Sequence, residues 1–175
     1  MIKKSSLPTG TLINQYFTNI HYQDCLVTEV NPSKEITVSD AAKAFFLCSP
    51  QWVHQLMKLR NKIAGLFSLK TDKHQKKDID RLYNSNFETG EKFGLFEILF
   101  RSENEIIMGA NDRHLNFRVT IYLQTFPKQH YQVYIGTVVQ LNNFFGKIYF
   151  FVVQPFHKFI LLTFMKKIKA SLNTM

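Results

Sequence analysis

A chain of 175 residues, 45% hydrophobic and 20% charged, with seventeen Phe and seven Tyr, has the apolar content to bury a core without disulfides or a structural metal, which argues against a disordered chain. Cys25 and Cys48 have neither CxxC nor Cys/His ligand spacing, so a zinc site and a bridge framework lack support, and both read as small core residues of a reducing, cytoplasmic compartment. The net charge of +9 is concentrated at residues 58–81 and 147–175, so the field is local and nucleic acid is disfavoured as a partner.

Residues 1–20 are polar, with Pro8 and Gly10 and no apolar run of signal-peptide length, and read as an N-terminal arm, loosely structured or laid over the surface. Residues 21–175 form the expected domain. Its first strand covers 22–30 and closes at Asn31-Pro32. Ser39 or Thr37 can cap a short helix over 40–47; Ser49-Pro50 breaks it and starts a second over 51–67. Residues 68–90 are lysine-rich and poor in apolar side chains, which predicts an exposed loop with a helical turn near 79–83. From Phe93 the period changes to two: strands at 93–100, 105–110, 114–126 and 129–141 make an antiparallel meander.

In that meander Leu115, Phe117, Val119, Ile121 and Leu123 alternate with Asn116, Arg118, Thr120, Tyr122 and Gln124, and Tyr131, Val133 and Ile135 repeat the pattern. One face is therefore expected to be apolar and the other wet. The strongly apolar stretch 144–172, with Pro155 as a kink, predicts the covering helix; a strand at 148–153 is the alternative. The fold class is α+β, a curved antiparallel sheet around a long C-terminal helix with two short helices after the first strand.

The order of elements resembles the helix-grip architecture of the START/Bet v 1-like, polyketide-cyclase-like superfamily. Local strings carry the resemblance further: Pro50-Gln51-Trp52-Val53; Asp112-Arg113-His114-Leu115-Asn116-Phe117-Arg118; and Gly146-Lys147-Ile148-Tyr149 followed by Pro155-Phe156-His157. Over about residues 22–169 the chain is similar to an uncharacterised bacterial family of that superfamily, DUF2867. The resemblance implies a pocket between sheet and helix for an apolar or amphipathic small molecule, and carries over no catalytic residues.

Several side chains could serve such a pocket. Arg60 falls within the apolar stripe Val53, Met57, Ala64 and Phe67, either as a structural ion pair or as a cation at the pocket mouth. Asp112 and His114 bring an acid and an imidazole to one strand end, suited to a turn and a polar face, or to acid/base chemistry. His157 shares a helical stripe with Leu161, Phe164 and Ile168, so it could face the cavity or be a satisfied core histidine; Phe117 and Tyr131, on apolar strand faces, are lining candidates. No HExxH, GxSxG or Gly-rich phosphate loop is present, and no cofactor or metal is expected.

Three functions compete: binding of an apolar or amphipathic small molecule, a cofactor-free cyclase, isomerase or hydrolase in the same cavity, and weak contact with a membrane surface through Lys70–Lys77 and Lys158–Lys169. Oligomeric state is not legible in the sequence.

Overall fold

The computed structural model describes residues 1–47 and 78–175. The expected helix at 51–67, with Arg60, lies outside them, as do Cys48 and the basic stretch 68–77. The strands are β1 (Ile2–Lys4), β2 (Tyr22–Val30), β3 (Lys92–Phe93), β4 (Phe96–Arg101), β5 (Glu105–Asn111), β6 (Leu115–Phe126) and β7 (His130–Leu141). The helices are α1 (Val38–Leu47), α2 (Asp78–Asn84) and α3 (Phe144–Asn173), and a 3-10 turn spans Ile13–Tyr16.

All seven strands join one curved antiparallel sheet in the order β1-β2-β7-β6-β5-β4-β3. The meander β3 to β7 is sequential, as short turns between alternating strands dictate. The first long strand, β2, reaches over to pair with the last, Asp24 opposite Thr137 and Val30 opposite Tyr131. The expected strand at 93–100 is two strands, because Gly94 takes a left-handed φ of 59° and folds β3 back on β4.

α1 begins with a reciprocal cap. Thr37 Oγ1 accepts the Asp40 N–H at 3.3 Å, while Asp40 Oδ2 accepts the Thr37 N–H at 2.8 Å. The helix lays Ala41, Ala42 and Phe45 on the sheet face formed by Leu26, Val30, Ile106, Met108, Val119, Ile121, Val133 and Ile135. The second half of α3 closes this core with Leu161, Phe164, Met165, Ile168 and Leu172, all buried. The stretch expected as helix or strand is helix throughout: Asn143 caps it by accepting the Gly146 N–H at 3.0 Å. Gly146 sits where a Cβ would strike the His114 carbonyl, so only glycine lets α3 start this close to β6.

Two expectations are corrected here. α3 packs along one side only: Phe144, Ile148, Phe151 and Val152, on the outer side of its first half, are exposed. The other sheet face is wet only in part, because residues 7–17 are laid across it. β1 pairs with β2, and Leu7, Leu12, Ile13, Tyr16 and Phe17 form a second apolar cluster with Phe100, Ile107 and Val138. Arg118 and Thr120, expected on the wet face, are consequently buried, and so is Glu105. Glu105 accepts the Leu12 N–H at 3.1 Å and the Thr120 hydroxyl at 2.6 Å, and also bonds the Thr11 hydroxyl. Arg118 lies between the rings of Phe17 and Tyr16, 4.8 and 5.4 Å from their centres, and donates to Ala110 O, Phe117 O and Asn111 Oδ1. These polar groups fasten the arm.

Candidate functional site

The period-two pattern of β2 puts Tyr22, Asp24, Leu26, Thr28 and Val30 on the helix side of the sheet. Asp24 is thus an acid in phase with core residues. Its neighbour across the β2–β7 ladder is Thr137, and above them passes the first half of α3, which contributes Phe150 and His157. Where those elements meet, one polar cluster interrupts an apolar face.

Tyr22 donates its hydroxyl to Asp24 Oδ2 at 2.6 Å, and its ring packs edge-on against Phe150 at 5.0 Å and His157 at 6.0 Å. His157 Nε2 approaches the same Oδ2 to 3.3 Å, an ion-pair contact lacking the alignment of a hydrogen bond. Thr137 stands beside the carboxylate, its hydroxyl close enough to support the charge though not in good hydrogen-bond alignment. Three buried polar atoms therefore converge without a hydrogen-bond partner: Asp24 Oδ1, Thr137 Oγ1 and His157 Nε2. Buried polar atoms in folded proteins are nearly always paired, so this cluster stands out against the apolar face around it.

Burial alone would raise the Asp24 pKa; the His157 ring, the Tyr22 hydroxyl and Thr137 outweigh it and hold the carboxyl below its usual range. Burial first, then the neighbouring carboxylate, push the Tyr22 hydroxyl up, so it remains a donor. On the opposite face the Cys25 thiol is pushed up to about 12, by burial and then by the Asp24 charge, and is chemically inert. Because the folded state lowers the Asp24 pKa, this group's contribution to stability is complete above its unfolded value and is lost as pH falls through the lower folded value. The urea midpoint of the wild type is expected to drop as pH falls below about 4, and Asp24→Asn to flatten that acid limb. Paired urea titrations across acid pH check it; identical slopes for the two proteins would contradict it.

The residues singled out from the sequence fall in different places. His157 is in the cluster. Phe117 lies on the same face two strands away, opposite Val139, which itself pairs with Tyr22; its ring meets Phe96 edge-on at 5.7 Å. Tyr131 is a buried core residue paired with Val30, about 20 Å along the strand from Asp24. Asp112 serves the β5–β6 turn, its carbonyl accepting from Asn142 Nδ2 at 2.8 Å and its N–H meeting Leu115 O at 3.1 Å. His114 is buried with Nδ1 3.1 Å from Asn143 Oδ1, the atom that caps α3. Asp112 and His114 are thus held by structural partners at the sheet end, and Arg60 lies outside the described residues. Tyr22, Asp24 and Thr137 were missed, although the in-phase acid of β2 was a readable signal. Among the described residues no three His, Cys, Asp or Glu converge to hold a metal.

Fold and cluster together define an α+β domain in which a curved antiparallel sheet packs against a long C-terminal helix, with the partly buried Asp24 carboxylate between them. Residues 16–163 match the family described as protein of unknown function (DUF2867), and the chain belongs to that family. Searches of the curated proteins and of the solved structures found no match.

Proposed function

We propose that the domain is a helix-grip, START-like binding protein for an amphipathic small molecule whose head group carries a hydroxyl or amine. The observation that carries this reading is the unpartnered Asp24 Oδ1, buried beside Thr137 Oγ1 at the border of an apolar face. A carboxylate oxygen accepts only, so the complementary group is an O–H or N–H donor. Thr137 can accept from or donate to the same head. The rest of the molecule would extend from the cluster along the apolar sheet face toward Phe117, with Tyr131 outside the site. The helix-grip attribution is supported by the pairing of the first long strand with the last and by the long helix laid on the sheet. The buried, free Cys25 suits a reducing cytoplasm.

Native mass spectrometry of freshly purified protein, followed by solvent extraction, tests this. The expected result is a stoichiometric adduct identified as a hydroxyl- or amine-headed amphiphile, reduced in Asp24→Ala. A chain that is empty on purification and takes up no such molecule from a lipid extract would contradict it.

A second reading rests on the Asp24–His157 contact. It places an imidazole and a carboxylate 3.3 Å apart on the helix side of the sheet, the pairing that acid/base chemistry uses. Conversion of the extracted molecule on incubation with protein, abolished by His157→Ala while binding persists, would favour a cofactor-free enzyme.

A further inference from the structure

The first half of α3 presents an apolar face that the described residues leave uncovered. At 100° per residue Phe144, Ile148, Phe151, Val152 and Leu162 fall within one sector of about 100°. Their exposures run from 42% for Leu162 to 79% for Phe151. From 144 to 162 this face extends about 28 Å along the helix axis. Contiguous exposed apolar surface of that length on a folded domain marks an interaction site.

Charge identifies what it fits. Residues 113–175 contain eight Lys and Arg and no Asp or Glu, so the last third of the chain is basic with no acidic side chain to offset it. Lys147 and Lys158, both exposed, edge the apolar sector, and exposed Lys166 continues it one turn beyond Leu162. A second copy of the chain docking here would bring these lysines against their own kind, whereas an anionic lipid surface pairs them with phosphates.

Orientation follows from the helix's other side. By length and composition α3 could cross a bilayer. Its inner face, however, is occupied: Gly146 abuts the His114 backbone, Phe150 meets Tyr22, His157 meets Asp24, and Leu161, Phe164 and Met165 lie in the core. Spanning would strip those contacts; lying in the interface plane keeps them all. We infer that the first half of α3 is a monotopic docking surface for anionic phospholipid, with its apolar sector sunk into the headgroup boundary and Lys147, Lys158 and Lys166 on the phosphates. This reading stands on α3's outer face and does not depend on a molecule at Asp24.

Co-sedimentation of the full chain with phosphatidylcholine vesicles, with and without phosphatidylglycerol, tests it. Binding is expected to require phosphatidylglycerol and to weaken as salt is raised. Ile148→Ser with Phe151→Ser should weaken partitioning by about tenfold or more while the urea transition is unchanged. Lys158→Glu with Lys166→Glu, which keeps the apolar side chains, should lose the phosphatidylglycerol-dependent part. The inference is overturned if the wild type stays in the supernatant at low salt, or if the Ser pair binds as well as wild type. Protection of Ile148 and Phe151 from hydroxyl radicals in lipid-free protein would overturn it too. That result would give the face to residues 48–77 of the same chain, or to a second copy if sedimentation velocity finds a dimer.

Discussion

Replacing Ile168 with alanine is expected to cost about 2–5 kcal/mol of folding stability, the range for emptying a packed aliphatic site. Ile168 is fully buried and packs in the single cluster that joins α1, α3 and the concave sheet face. The removed atoms lose their transfer energy, and the packed neighbours can collapse into the gap only in part. Ile148 is the control on the same helix, at 50% exposure. Its alanine variant should change stability by no more than about 0.5 kcal/mol. Urea midpoints at unchanged slope measure both. Equal losses would mean that the two sides of α3 are buried alike, contrary to the division on which the docking surface rests.

Glu105→Ala is the second large effect. This carboxylate is buried between the sheet and the N-terminal arm, and accepts from Thr11, Leu12 and Thr120 at once. Its removal leaves the fully buried Thr120 hydroxyl and the Leu12 N–H without acceptors, each costing about 1–3 kcal/mol if water cannot reach it. A loss of about 2–4 kcal/mol is expected, with faster amide exchange through residues 11–17. Hydrogen exchange read by mass spectrometry distinguishes this from general loosening, because the α3 core amides should open only with global unfolding. Unchanged exchange in the arm would show that Glu105 does not hold it.

These two positions mark what was legible in the sequence and what was not. The alternation of Leu115, Phe117, Val119, Ile121 and Leu123 is a local signal, and it located β6 and its apolar face. β2 closed at Val30 for an equally local reason, the Asn31-Pro32 turn. The burial of Glu105, Thr120 and Arg118 is not local: it depends on the arm returning across the sheet, and residues 1–20 carry no period that announces this. Polar side chains on alternate positions read as wet unless the partner that covers them is known. The same limit applies to α3, whose composition predicts burial all round, whereas a helix laid on a sheet buries one side only. Phe87 adopts a left-handed φ of 58° while wholly buried against Phe46 and Phe93, a conformation a β-turn pattern does not predict for an aromatic residue. Of the site, His157 was legible from its helical stripe. Asp24 was legible in principle, as an acid in phase with Leu26 and Val30, but its partners come from β7 and α3, far along the chain.

The most direct test of the binding site is a crystal structure of the protein as purified, read at Asp24. The account predicts continuous density for a bound molecule, its head within hydrogen-bonding distance of Asp24 Oδ1 and Thr137 Oγ1 and its body along the apolar sheet face toward Phe117. Asp24 Oδ1 satisfied by an isolated water or by a protein donor, with apolar side chains filling the space beside it, would contradict that account and leave the cluster a purely structural one.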